Sequence, residues 1–522
     1  MPNNINYNSL LKKVPVQLKV FTLAGSLIFF IFIFQGSIGF NIRDEGLLWY
    51  AVQRVSQGEV PILDFISYDP GRYYWSSVIM RVLGDNGVMM LRISVSIFQT
   101  IGLFAGLMLL TKTTNNHQSC FLLTSAFIII IWMFPRHKLF DISLSIFHII
   151  NLTYLIVKPT YKRYFYAGVI IGLIAVFGRN HGVYGVIASV GVILWLNLLR
   201  HDSPCFLKSI TLWGIGVILG YIPVISMILF IPDFDQAFLE SILYHFEYKT
   251  TNIAIPVPWP WKLFPITVFS LDIIRGVLIG IFYLFLLSFG LFSLCYVLYN
   301  KNINSYTSSV LIAGAFLSIP YSHHAFSRPD ISHLAQSIFP TLIGILVILS
   351  TSSAKMRWLG LLTFSAVSLL IMLPKQPGWK CYISDKCTYV NIATDNILVN
   401  PPTARVVKFL VNLSNTFTPN GEMFYVTPFW PGAYPMLGRK APVRYIYSIL
   451  PRSESFQKRE IKKLISADLN FVLIVNNPPN HRMEYLFKYT QPLVYKYILD
   501  NYDNVNEYSN NNHLVFTKRA LM

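Results

Sequence analysis

Apolar stretches of about 20 residues recur through the first 374 positions of this chain, and that recurrence constrains the fold more than any single motif. A bilayer core of about 30 Å is crossed by about 20 apolar residues in a helix. About eleven windows of this kind can be drawn, at approximately 18–40, 88–110, 119–134, 141–157, 164–178, 183–199, 209–231, 277–299, 306–320, 334–351 and 357–374. Composition excludes the alternative that these are the core helices of a water-soluble protein. Of the 522 residues 54% are hydrophobic and only 13% charged, with a mean hydropathy of +0.50, whereas soluble domains carry roughly 25% charged residues.

Forty-two Lys and Arg against 24 Asp and Glu leave a formal charge of +18. On a soluble chain such an excess would suggest nucleic acid, so the positions of the charges decide. With the N-terminus in the cytoplasm, the inner connections carry Lys112, Lys158, Lys162, Arg163, Arg200, Lys208, Lys301, Lys355 and Arg357 and a single acid, Asp202. This is the positive-inside pattern of a multi-pass membrane protein. It accounts for much of the excess and argues against nucleic acid as a partner. Lys12, Lys13 and Lys19 precede the first window, which is too long for a signal-peptide core and lacks a small-residue cleavage site, so it reads as a retained helix.

Nearly all carboxylates then fall on the opposite side, in 41–87, 135–141, 179–182, 232–276, 321–333 and the tail, and charged chemistry is expected there. Cys120, Cys205 and Cys295 lie in or near helices. Cys381 and Cys387 lie in the outer tail, where an oxidising compartment permits a disulfide, which the sequence leaves open. The tail, 375–522, changes character. Residues 402–413 and 456–467 have amphipathic helical spacing, and Met423–Thr427, Phe471–Val475 and His513–Thr517 read as strands. The expected architecture is mostly α: a transmembrane module over 1–374, followed by an extracytoplasmic α/β domain over 375–522.

The densest polar sequence follows the first window: Asn41-Ile42-Arg43-Asp44-Glu45-Gly46-Leu47, then Asp64, then Tyr68-Asp69-Pro70-Gly71-Arg72. A carboxylate at a helix exit is partly desolvated, which raises its basicity and suits a general base or a hard-metal ligand. Arg43, Asp44 and Glu45 could equally be interfacial charges that end the helix. Leu47, Leu48, Ala51, Val52 and Val55 have the spacing of a helix lying in the interface plane.

Basic residues also collect in short outer loops: Arg136, His137 and Lys138, then Arg179 and His181, then Arg328. The positive-inside bias disfavours cations there. A phosphate headgroup would account for them, since Arg forks match phosphate oxygens. Snorkelling, or pairing with outer carboxylates, is the alternative. Within Tyr321–His333, Asp330 and His333 join Arg328 as cavity-lining or phosphate-binding candidates, while His323, His324 and His333 lack firm zinc spacing. Asp233-Phe234-Asp235 has an Asp-X-Asp metal spacing, and Asp272 and Arg275 are spaced to pair along a helix.

An acidic pair in the first outer loop, a surface helix after it, a Tyr68-Asp69-Pro70-Gly71 turn, short basic outer loops and an outer α/β tail together resemble the GT-C glycosyltransferases. The similar members are of the protein O-mannosyltransferase and lipid A aminoarabinose transferase type. Phe429-Trp430-Pro431-Gly432-Ala433-Tyr434, Leu437-Gly438-Arg439-Lys440-Ala441-Pro442 and Arg444-Tyr445 look like the tails of bacterial proteins of this kind. The resemblance implies a multi-pass protein of the bacterial cytoplasmic membrane. It would move a sugar from a polyprenyl-phosphate donor to a lipid, glycan or protein acceptor on the outer face, with inversion at the anomeric carbon. Asp44 would be the base or the acidic group that organises the acceptor, with Glu45 or Asp64 assisting, and Tyr68 and His181 would line the site. Arg72, Arg136, Lys138, Arg179 and Arg328 would neutralise the departing phosphate. A divalent metal, Mg or Mn, is left open, because Asp141 alone stands where a second acidic motif is expected. Two rival readings differ in where they place charge and loops. A lipid-linked oligosaccharide flippase should carry ionisable residues in mid-helix on several spans, and an O-antigen-type polymerase or ligase should carry a large loop between late helices.

Overall fold

The computed structural model describes residues 15–113, 119–200, 203–247, 252–253, 255–263, 270–300, 303–384, 386–478 and 482–519. Lys12, Lys13, Asp202 and Lys301, used above to orient the chain, lie outside the described residues. Every one of the apolar windows is helical. By length and apolarity, six helices among the described residues can cross a membrane: Val16–Gln35, Val88–Thr111, Arg136–Val157, Arg179–Leu199, Leu271–Tyr299 and Ala354–Lys375. Two bent pairs raise the number to eight: Phe206–Gly220 with Ile222–Phe230, bent by 56°, and Ile331–Ser337 with Phe339–Thr351, bent by 58°. Pro223 and Pro340 stand at the second position of the later helix in each pair, where the missing N–H removes a bond to the earlier one.

The remaining three windows fall short for different reasons. Ser119–Trp132 has 14 residues and Tyr161–Phe177 has 17, short of the roughly 20 that a bilayer core takes. Ser305–Ser327 has 23 residues, but its serines and His323-His324 keep its mean hydropathy below that of a span.

The described chain forms two compact units. The first comprises Met1–Gly36, Val95–Ile225 and Thr251–Trp379, and its described elements are helices. Its tightest packing joins Tyr161–Phe177 to Phe206–Gly220. A Cβ at Gly168, Gly172, Gly216 or Gly220 would meet backbone of the facing helix, so paired small-xxx-small rows let the two backbones touch.

The second unit gathers Lys380–Met522 with two segments remote in sequence, Ser37–Ser94 and Ser226–Thr250. Its sheet runs β3 (Phe424–Thr427), β4 (Phe471–Val475), β6 (His513–Lys518), β5 (Tyr502–Asn504). The β3 and β4 strands are parallel and the other pairings antiparallel. The amphipathic segments of the tail are the helices Pro401–Phe417 and Glu454–Ser466, which bury Leu410, Leu413 and Leu464. A hairpin of β1 (Thr388–Ile392) and β2 (Asp395–Val399), not expected from sequence, lies beside Ser37–Gly39, where Leu398 exchanges backbone hydrogen bonds with both ends of that segment. Asp395 accepts from the Met89 amide at 3.0 Å and so caps the start of Val88–Thr111. Cys381 and Cys387 form a disulfide.

Candidate functional site

In the second unit, Asn41 begins the acidic motif by folding the chain onto its own side chain. Its Oδ1 accepts from the amides of Arg43 at 3.0 Å and Asp44 at 3.2 Å, an Asx turn that starts the helix Asp44–Ser56. Consecutive residues on a helix point about 100° apart, so Asp44 and Glu45 cannot serve the same partner. Glu45, 5% exposed, takes a two-pronged ion pair from Arg92, 1% exposed, at 2.8 and 2.9 Å. Arg92 also donates to the Gly39 carbonyl, and the Asn41 amide donates to Glu45 at 3.2 Å. Glu45 is thus a buried strut joining the loop to the helix Val88–Thr111.

Asp44 is only half-buried, and the Tyr447 hydroxyl donates to its Oδ1 at 3.3 Å. Arg43 lies over the Phe429 ring at 4.4 Å, and burial lowers its pKa from the ordinary value. The Gly432 amide donates to the Ile42 carbonyl at 2.9 Å, and a Cβ on Gly46 would stand 2.5 Å from the Gly432 α-carbon. The tail motif Phe429–Tyr434 and the acidic motif Asn41–Leu47, far apart in sequence, are therefore two sides of one packed corner within this unit. Tyr50, whose hydroxyl accepts from the Ala441 amide at 3.1 Å, and the pair of Lys440 with Glu59 extend it. Burial pushes the Tyr50 phenol up to about 12.

The other first-loop candidates divide. Asp64 is exposed and accepts from the Val60 amide at 2.7 Å, closing a turn. Tyr68 is exposed, and the Arg72 guanidinium, 2% exposed, lies over its ring at 5.0 Å. Asp233 and Asp235 flank the fully buried Phe234 and are themselves exposed at the start of Phe234–Glu247.

In the first unit, the short basic loops and the Tyr321–His333 segment converge. Asp141, 5% exposed, lies 3.2 Å from His181 Nε2 and 3.7 Å from Lys138 Nζ. His181 Nδ1 meets the Tyr321 hydroxyl at 2.7 Å, and its carbonyl lies 2.9 Å from His148 Nε2. Gly185 leaves the space that the His148 ring fills. The His324 ring is 6.4 Å from that of His181 and 5.5 Å from that of His333. His333 Nδ1 and Arg328 Nε lie 2.9 and 2.8 Å from the two oxygens of Asp330. Burial by itself would raise the Asp330 pKa, but the bonds from His333 and the charge of Arg328 hold it below its ordinary value. Five of the sequence candidates, Lys138, His181, Arg328, Asp330 and His333, are thus joined in one polar band, and two of its cations pair with carboxylates. Arg179 opens the helix Arg179–Leu199, half-buried. Arg136 donates to the Gln35 carbonyl at 2.9 Å and lines a cavity of about 80 Å³ with Gln99 and Phe134.

Sequence reasoning missed Arg92, Tyr447 and His148. Arg92 carried a usable signal, a lone cation in an otherwise apolar window; Tyr447 carried none. Both oxygens of Glu45 are engaged by Arg92, and among the described residues no three His, Cys, Asp or Glu side chains form a group that could hold a metal.

No family model and no curated protein matches the sequence. Among solved structures the chain is similar to ArnT from Cupriavidus metallidurans bound to undecaprenyl phosphate, with 10% identity, 96% of this chain and 98% of that one covered, and a TM-score of 0.47. It is also similar to the archaeal oligosaccharyltransferase AglB from Archaeoglobus fulgidus in complex with an inhibitory peptide and a dolichol-phosphate, with 10% identity, 96% and 74% covered and a TM-score of 0.45. The Archaeoglobus fulgidus oligosaccharyltransferase in complex with Zn and sulfate gives 10% identity, 96% and 73% covered and a TM-score of 0.46. These neighbours are GT-C superfamily members. Likeness at this level assigns neither activity nor residue roles, which must come from the chain's own side chains.

Proposed function

We propose that this protein is a membrane glycosyltransferase that moves a sugar from a polyprenyl-phosphate donor to an acceptor on the outer face of the cytoplasmic membrane. The observation that carries the reading is the division of the acidic pair. Glu45 is committed to Arg92, while Asp44 stays half-exposed with a phenol holding one oxygen. Asp44 takes the proton of the acceptor hydroxyl as its oxygen attacks the anomeric carbon. The bond from that carbon to the phosphate oxygen breaks with inversion, and polyprenyl phosphate leaves.

The charge bias of the connections supports an orientation with the N-terminus inside and the tail outside. The test is sugar transfer by purified protein from a panel of polyprenyl-phosphate-linked sugars. Asp44→Asn should lower the rate about 10²- to 10⁴-fold with unfolding temperature unchanged; a rate equal to wild type would refute the assignment.

A further inference from the structure

The second unit also contains a larger cavity, lined by none of the residues assigned above. Its volume is about 340 Å³. Glu240, Leu243 and Tyr244 of the helix Phe234–Glu247 line it, together with Arg452, Ser453, Phe456 and Arg459 around the start of Glu454–Ser466. Arg452 is held by three aromatic rings, 3.5 Å from the centroid of Tyr244, 3.8 Å from Tyr445 and 4.6 Å from Phe456. Gln457 fixes its backbone by donating to its carbonyl at 2.9 Å. Its Nε is buried without a hydrogen-bond partner, and among the described residues no carboxylate pairs with it. Glu240 lies 3.2 Å from Arg459 and 3.5 Å from Arg444. Arg444 is further tied to the Ile62 carbonyl.

Two guanidiniums, Arg452 and Arg459, and one carboxylate, Glu240, thus line the cavity, and its wall is electropositive. Rings stacked on a guanidinium cover its faces and leave its donors in its plane, the geometry that grips an oxyanion by two oxygens. The first turn of Glu454–Ser466, capped by Ser453, adds its positive end.

We propose that this cavity binds a phosphate-bearing group. Arg452 supplies the pre-set fork and Arg459 a second cation. Glu240 holds Arg444 and Arg459 until the ligand's oxygens take its place. Binding here is independent of sugar transfer and is measured without it.

The experiment uses full-length protein in phosphatidylcholine nanodiscs, titrated with inorganic phosphate and with glucose 1-phosphate, with glucose as the uncharged control. A parallel arm compares unfolding temperatures in phosphatidylcholine and phosphatidylglycerol nanodiscs. Saturable binding of a phosphate probe identifies a free phosphorylated ligand. Stabilisation by phosphatidylglycerol that Arg459→Gln removes identifies a lipid headgroup. Arg452 is packed, so Arg452→Gln, expected to abolish binding, is supported by two gentler variants. Arg459→Gln, at a side chain 59% exposed, should weaken binding about fivefold to tenfold. Glu240→Gln should strengthen it, because it removes the competing anion and releases two arginines; a purely structural ion pair predicts no such gain. The proposal is overturned if neither arm shows binding, if Arg459→Gln binds as wild type does, or if Glu240→Gln binds more weakly.

Discussion

In the second unit the neighbouring acids Asp44 and Glu45 are separated by one helical step: one sits half-exposed beside a phenol, and the other is buried on Arg92. In the first unit Asp141 and Asp330 are not divided in this way. Each has two basic partners, Lys138 and His181 for one, Arg328 and His333 for the other. The contrast teaches that an acidic residue in a polar loop has no fixed role until its helix phase is known. Glu45 meets the low-dielectric interior and needs a counter-charge there. Asp44, turned by about 100°, stays half-exposed, with the Tyr447 hydroxyl on one oxygen.

The largest expected effect tests the first half of that contrast. Asp44→Asn should abolish most transfer and leave stability unchanged, whereas Glu45→Ala should do the reverse. It leaves Arg92 buried without its counter-ion and should destabilise by about 3–5 kcal/mol, read as thermal unfolding in detergent. If the two variants behave alike, the acids are not divided and the reading fails.

Gly46→Val comes next. Even a single Cβ there meets the Gly432 backbone, so the corner must open, and a destabilisation of about 1–3 kcal/mol or more is expected. For the first unit, His181→Phe keeps a ring but removes the partner shared by Asp141 and Tyr321. A loss of about 1–3 kcal/mol should follow, and an unchanged unfolding temperature would show that the band does not hold the helices.

The smallest effect concerns acid. Burial alone would raise the Glu59 pKa, but Arg54 and Lys440 hold it below its ordinary value of 4.5. A depressed folded-state value means that the stabilisation is complete above the ordinary value and disappears as pH falls through the lower one. Lys440→Met should therefore lower the unfolding temperature near neutral pH and make no difference in strong acid. A difference that persists in strong acid would assign Lys440 a packing role instead.

Much of the fold was legible, because hydrophobic periodicity is a local property. All the apolar windows are helices, Phe471–Val475 is the strand expected, and Asp272 pairs with Arg275 at 2.7 Å as their spacing suggested. The count of spans was less legible, since helix length and the bends at Pro223 and Pro340 depend on packing. The acidic motif was visible as a motif, but nothing in Arg43-Asp44-Glu45 says which acid is paired, because Arg92 and Tyr447 reach it through tertiary contacts. The same holds for the arginine cavity. Glu240 lies far in sequence from Arg444, Arg452 and Arg459, and no spacing joins it to them.

The sequence by itself determined that this chain is a multi-helix membrane protein with polar chemistry gathered at loop ends, because burial of apolar residues and the placement of charge are set residue by residue. Only the tertiary structure decided which charges neutralise one another and which remain available. That outcome depends on distances between side chains brought together by folding, and electrostatic energy in a buried setting changes steeply over those few ångströms.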